Sequence, residues 1–389
     1  MKVLIVRPSA NKMNLKTYNL QEVGLAKALV RRGHSCDVMY YGGNEKDHFE
    51  TIRFDDDKHQ IRILWIRGFS FLREGYYPTL KKYVKDYDII QVGGYVGITS
   101  AWLNRKCREK TVNYQGPYYC KYNKKDNIRA AVFDRTLLKW QKPSKMIVGT
   151  KSRLATDYLQ KKGISNVQTL GVGLDLDNLR AAASGEKNEF IEKLIRDRKG
   201  RYLLYMGRLE ERRNILFLLR VFAEVCEKNQ DVKFVIVGKG DQTYVDKCKK
   251  EADMLGISDR IIYKDSLEQK YVNQLYRVCD LFLLPTRYEI FGMVLLEAMY
   301  FGVPVVTTFN GGSSTVIEDG KTGIVIDQLD TGLWSRRILE LLADSELRQE
   351  IIVRANRLIE EKYTWDALAE KFLSVYQSRL DMKNEKERG

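Results

Sequence analysis

The stretch from Leu281 to Thr307 constrains the fold more than any other part of the chain. Its apolar run Leu281–Leu284 reads as a buried strand, Pro285 to Gly292 as the loop that leaves it, Met293–Phe301 as a helix ending at Gly302, and Val303–Thr307 as a second strand. Strands joined through a helix pair in parallel, so the unit belongs in an α/β sheet. Glu289 then stands in a loop at a strand's carboxyl end, and Glu297 about one turn into the helix that follows. Open α/β sheets bind ligands at that edge, and a helix starting at Gly292 directs free N–H groups and the positive end of its dipole into the same space. Two carboxylates beside an anion site suit a ligand that carries both hydroxyls and phosphate.

A second strand–loop–helix lies upstream. Tyr202–Met206 is a short apolar run, Gly207-Arg208-Leu209-Glu210-Glu211-Arg212-Arg213-Asn214 a charged loop, and Ile215–Cys226 an amphipathic helix. Arg208 and Arg213 leave a strand edge, where guanidinium groups form forked, charge-assisted hydrogen bonds to phosphate oxygens at any physiological pH. Phe234–Val237 turns on Gly238-Lys239-Gly240, but no third glycine follows at the spacing of a dinucleotide fingerprint, which argues against NAD.

With 389 residues and 44% hydrophobic content, the chain exceeds what one core usually supports and fills two. Strands are expected in the first half at Val3–Val6, Asp37–Tyr41, Ile63–Ile66, Asp88–Val92, Thr111–Tyr114, Met146–Val148 and Val167–Leu170. The segment 181–200, small and polar and then strongly charged, is the best candidate connector. It divides a first domain, 1–180, from a second, 201–364, with a closing helix and tail at 365–389.

Glu289-Ile290-Phe291-Gly292, with Glu297 and Gly302-Val-Pro-Val-Val, resembles the Glu-x7-Glu signature of the retaining glycosyltransferases of family 4 (glycosyl transferases group 1). Gly207-Arg208-Leu209 with Arg213 resembles that family's Gly-Arg-Leu-x3-Lys element, arginine standing where lysine is usual. The resemblance implies a GT-B fold: two Rossmann-like domains with parallel sheets facing across a cleft, the last helix crossing back to the first domain. It implies a nucleotide-diphosphate sugar as donor, with Glu289 on the sugar hydroxyls and Glu297 on the ribose. Gly207, Gly238, Ile290, Phe291, Gly292, Met293 and Val294 would surround the nucleotide and diphosphate, and Arg208 and Arg213 would neutralise the leaving group. No cofactor and no metal are expected, although Asp55-Asp56-Asp57 and Asp175-Leu-Asp177 contain Asp-x-Asp.

The chain departs from the family pattern in its first domain. A histidine usual at a strand end is replaced in Asn113-Tyr114-Gln115-Gly116-Pro117 by Gln115, which hydrogen-bonds a sugar but cannot titrate. The loop after the first strand, Arg7 to Lys12, lacks a glycine pair, so Lys12, Asn14 or Lys16 would stand in for the backbone at the diphosphate, with Asn11 and Lys12 on the acceptor side. These departures keep open a catalytically silent GT-B partner or scaffold of an active transferase, and a nucleotide-sugar epimerase on the same fold.

The net charge of +15 is one-sided: residues 1–180 hold 33 Lys/Arg against 17 Asp/Glu, and residues 181–389 hold 33 against 34. The surplus is densest between Arg105 and Lys145, where Lys121, Lys124, Lys125 and Arg129 alternate with tyrosines and Trp140. In GT-B enzymes the first domain binds the acceptor, so this charge points to an anionic membrane surface and a lipid-linked glycan acceptor. No nucleic-acid module accompanies it. Six cysteines without Cys-x2-Cys spacing, a first strand too short for a signal peptide and the lack of ~18 consecutive apolar residues predict a cytoplasmic protein, peripheral at the inner face of the plasma membrane.

Overall fold

The computed structural model describes residues 1–15, 20–71, 74–181 and 186–388. The chain forms two compact units, Met1–Gly173 with Thr364–Gly389, and Leu174–Tyr363.

The first unit is built on strands β1 (Lys2–Val6), β2 (Ser35–Tyr41), β3 (His48–Phe54), β4 (His59–Ile66), β7 (Ile89–Gly93), β8 (Thr111–Gln115), β9 (Ile147–Thr150) and β10 (Asn166–Thr169), with a separate ribbon of β5 (Phe69–Phe71) and β6 (Glu74–Tyr76). The sheet order is β10-β9-β8-β7-β1-β2-β4-β3, parallel throughout except for the β3–β4 hairpin. All seven expected strands are present. The sequence reading missed β3, whose side chains are mostly exposed at the sheet edge and give no apolar run. Its turn is Asp55-Asp56-Asp57, each at a positive φ between 52° and 63° that aspartate tolerates better than most residues. Arg31 holds Asp55 there through two hydrogen bonds of 2.8 and 2.7 Å.

The last helix, Trp365–Arg388, belongs to this first unit. It buries Trp365, Leu368, Phe372 and Tyr376, one stripe of a 3.6-residue period. The Tyr376 hydroxyl donates to Gln91 Oε1 on β7 at 2.7 Å. Two glycines make room for the Trp365 indole: a Cβ on Gly24 would lie 2.3 Å from it, and one on Gly173 2.5 Å.

The second unit carries β11 (Arg201–Met206), β12 (Val232–Val237), β13 (Ile261–Lys264), β14 (Leu281–Leu284), β15 (Val305–Thr307) and β16 (Ile324–Val325). All pair in parallel in the order β13-β12-β11-β14-β15-β16. This is the doubly wound order 3-2-1-4-5-6, and its direction of winding reverses between β11 and β14. The segment read as a connector holds a helix, Glu189–Arg196, capped by Asn188 and burying Ile191 and Leu194. The Tyr202 hydroxyl donates to the Leu194 carbonyl at 2.9 Å, so this helix packs within the second unit, whose first residue is Leu174. Residues 182–185 of the connector, and Lys16 in the first unit, lie outside the described residues.

Cys36, Cys107, Cys226, Cys248 and Cys279 are buried thiols. Among the described residues no helix is long and apolar enough to cross a membrane.

The indole seat yields a stability test. Gly173→Ala forces a methyl into the Trp365 backbone and ring and is expected to cost ~1–3 kcal/mol, the usual range for overpacking. Thermal unfolding measures it, and a variant as stable as the parent would show that the indole is not confined there.

Candidate active site

In the second unit the loops that follow β11 and β14 emerge at the switch point side by side. Arg213 donates from Nη1 to Glu289 Oε2, and both side chains are 15% exposed. Arg212 reaches the same loop, donating to the Tyr288 carbonyl at 2.8 Å and pairing with Glu210 at 2.7 Å. Asn214, in the left-handed region at φ 55°, donates to the Pro285 carbonyl at 2.6 Å. The structure therefore unites Arg213 and Glu289 as direct partners. The sequence reading did not single out Arg212 and Asn214, whose role is to fasten one loop to the other.

Arg208 differs from Arg213. Its side chain is exposed and, among the described residues, forms no ion pair, while its carbonyl accepts from the Tyr205 hydroxyl at 2.7 Å. Burial pushes the Tyr205 phenol up, so it remains a donor and holds this backbone in place. Gly207 donates to the Val237 carbonyl at 3.0 Å, and a Cβ on Gly238 would come within 1.8 Å of the Gly207 oxygen. Only glycine at 238 permits the two strand ends to approach so closely.

Gly292 stands at φ 77° immediately before the helix Met293–Tyr300, no side chain capping its first turn. Its amino end is thereby left open to an anion. Phe291 is buried, and Ile290, Met293 and Val294 are partly exposed. Glu297 is only 4% exposed and accepts from the Tyr276 hydroxyl at 3.2 Å. A further loop was not foreseen: Gly311 donates to the Glu289 carbonyl at 3.1 Å, and a Cβ on Gly312 would lie 1.7 Å from the Phe291 oxygen. Its signal was the glycine pair in Asn310-Gly311-Gly312-Ser313, just beyond β15.

The first unit has its own cavity, of about 600 Å3, at the carboxyl ends of β1, β7, β8 and β9. Asn11, Gln115 and Gly116 line it, whereas Lys12 does not; its Nζ pairs with Glu45 at 2.9 Å. Gln115 is 4% exposed, its Nε2 donating to the Pro117 carbonyl at 2.8 Å and its Oε1 accepting from the Tyr95 N–H at 3.3 Å. Its amide thus shapes the cavity wall. Lys151, one residue past β9, was not foreseen. It lines the cavity, donates to Gln21 Oε1 at 2.7 Å and stands 5.2 Å from the centre of the Tyr114 ring. Burial holds its ammonium below the usual lysine range, against the opposing pull of Glu22. Burial also raises the Glu74 carboxyl, which Arg129 partly offsets from 3.2 Å.

Lys121, Lys124, Lys125 and Arg129 cluster at one end of a helical stretch, Lys124–Phe133, that continues through a π-turn, Asp134–Leu138, to Lys139–Gln141. Trp140 sits at its other end, 6.0 Å from the Arg105 guanidinium, and so does not share a surface cluster with the three lysines. Eighteen helical residues extend about 27 Å, farther than those side chains reach. Asp55 is committed to Arg31, and Asp175 accepts from the Asp177 N–H at 3.2 Å. Among the described residues no group of three or more His, Cys, Asp or Glu is arranged to hold a metal ion.

Residues 186–358 match the family model described as glycosyl transferases group 1. The matched segment covers most of the second unit, Leu174–Tyr363. It spans the whole sheet β11–β16 and contributes Arg208, Arg213, Glu289 and Glu297. A D-inositol 3-phosphate glycosyltransferase of Corynebacterium diphtheriae is 32% identical over 180 residues, 45% of this chain and 42% of that protein. The chain spans about half the length of the curated relatives it matches. Sucrose-phosphate synthase from Thermosynechococcus elongatus superposes with a TM-score of 0.70 at 17% identity, covering 97% of this chain and 99% of that one. Anabaena HepE in complex with UDP-glucose gives 0.67 at 16%, covering 97% and 100%. These superpositions over 97% of the chain make the fold GT-B.

The Arg213–Glu289 pair is open to a double-mutant cycle. Arg213→Met takes the guanidinium from a poorly hydrated Glu289, and Glu289→Gln leaves Arg213 with the more distant Glu210 at 3.7 Å, so each is expected to destabilise by ~2–3 kcal/mol. The double variant should lose less than the sum, a coupling of about 1–3 kcal/mol by thermal unfolding. Strictly additive losses would show that the two groups act independently.

Proposed function

We propose that the chain is a retaining, metal-independent hexosyltransferase that moves a sugar from a nucleotide-diphosphate sugar to a lipid-linked or membrane-associated glycan in bacterial surface polysaccharide synthesis. The observation that carries this reading is the meeting of Arg208, Arg213, Glu289 and the open helix start at Gly292 around one switch point. Transfer breaks the bond between the sugar and the diphosphate, and negative charge accumulates on the departing phosphate. Arg208 is exposed and, among the described residues, without an ion pair, suited to meet that charge, and the Met293 helix start adds fixed N–H dipoles. Glu289, already oriented by Arg213, serves the sugar hydroxyls, and Glu297 the ribose. A donor phosphate oxygen receives the acceptor proton, so no separate enzymic base enters.

Glu289→Gln should lower turnover by orders of magnitude while leaving nucleoside diphosphate affinity nearly intact, because the lost contact is made to the reacting group. Glu297→Ala should weaken nucleotide binding itself. Arg208→Ala should slow transfer by ~2–4 kcal/mol of activation free energy, the scale of other electrostatic stabilisers. The measurement is donor hydrolysis and transfer across a panel of nucleotide sugars, with and without EDTA. Activity abolished by EDTA and restored by magnesium or manganese would overturn metal independence. Binding without turnover throughout the panel would favour the silent-partner reading.

The acceptor side rests on the helical stretch 124–141. Lys125, Ile128, Val132, Arg135, Lys139 and Trp140 are exposed along it, Ile128 at 65% and Val132 at 57%, with Tyr119 and Tyr122 exposed just before. A helix whose open face mixes apolar and basic side chains suits the interface of an anionic leaflet at the inner face of the plasma membrane. Vesicles rich in anionic lipid should sediment the protein at low salt, and the binding should fade above roughly 0.3 M, where the Debye length falls below ~6 Å. Replacing Lys121, Lys124 and Lys125 by glutamate should reduce vesicle binding and transfer to a lipid-linked acceptor but not donor hydrolysis. Unchanged sedimentation would reassign this face to plain solvent.

A further inference from the structure

The amino ends of β8, β9 and β10 lie at the sheet edge opposite the 600 Å3 cavity, and a second cavity of 460 Å3 opens there. Arg105, Arg108, Lys145, Arg379 and Lys383 line it, against Glu109 and Glu385. Neither the donor loops nor the acceptor cavity uses any of these residues.

Arg379, on the last helix, is the unusual member. It is 5% exposed, donates from Nη2 to the Lys145 carbonyl at 3.1 Å, and its Nε has no hydrogen-bond partner among the described residues. Burial and the neighbouring Arg108 push its guanidinium down to about 10, against the smaller opposing pull of Glu109. Among the described residues none of Arg105, Arg108, Lys145 or Arg379 forms an ion pair with a carboxylate. A buried cation repelled by its neighbours gains most from an anion that satisfies several of them together.

We propose that this cavity binds a phosphate ester or diphosphate, with Arg379 at its base and Arg108 and Lys145 at its rim. Arginine forks match the tetrahedral oxygens of phosphate, and lysine supplies a further point charge. The cavity stands on the far edge of the sheet from the acceptor cavity, so the ligand is not a reacting group.

Pyrophosphate titration by calorimetry, with the full chain, tests this. Arg108→Gln/Lys145→Gln alters only rim side chains and should weaken one class of site about tenfold or more, as expected for losing charged hydrogen bonds. Arg379→Gln should do the same where it remains folded, as judged by its melting temperature. Arg208→Ala should leave this class intact, which separates it from any pyrophosphate held at the donor loops. Phosphatidylglycerol vesicles distinguish the source of the phosphate. If pyrophosphate displaces the protein from vesicles and the rim variant binds them less, the ligand is a lipid headgroup. If vesicle binding is unchanged while pyrophosphate binding falls, it is a soluble phosphate ester. Pyrophosphate binding unaltered in the rim variant overturns the proposal.

Discussion

A carboxylate removed from water requires a cation within reach, and Glu289 has Arg213. That one pair ties the loop after β11 to the loop after β14 at the place where the sheet's winding reverses, and the surrounding contacts support it. Arg212 and Asn214 hold the second loop's backbone, and the Gly311–Gly312 turn closes on its other side. These contacts fix the two loops against each other. In the proposed reaction Arg213 keeps Glu289 aimed at the sugar hydroxyls while its remaining N–H groups face the diphosphate. Arg208, which forms no ion pair among the described residues, would in that reaction answer for the charge that develops later.

The surplus charge of the first unit resolves into distinct surfaces. What reads in sequence as one basic, aromatic stretch is a helix about 27 Å long by its residue count. Its lysine-rich start adjoins the 600 Å3 cavity, which Asp126, Arg129 and Ala130 help to line, while Trp140 adjoins Arg105 at the opposite sheet edge. Charge density along a chain says little about charge density in space when a rigid rod intervenes.

Much of the donor side was legible because glycine turns and apolar strands are local signals. Leu281–Leu284 and the turn at Gly292 follow from composition alone, and the charges at 208, 213 and 289 stand next to them. Elements whose signal is weak locally were not legible. The strand β3 is an exposed edge strand, and β16 has only two residues. Lys151 was missed because its burial arises from Tyr114 and Gln21, residues distant in sequence. Lys12 and Gln115 are expected from sequence on the acceptor side, yet sequence could not show that Glu45 and the backbone at 95 and 117 would engage them.

The first unit is discontinuous, its last helix separated from its sheet by the whole of the second. Before the second unit folds, seating Trp365 between Gly24 and Gly173 means closing a loop of roughly 190 residues, an entropic cost near (3/2)RT ln n, or about 4–5 kcal/mol. Once the second unit has folded, the Leu174 N–H donates to the Tyr363 carbonyl at 2.7 Å, and the two ends of that loop are already adjacent. Folding order is thus written into the connectivity: the inserted unit acts as an intramolecular clasp, and the indole seat closes late.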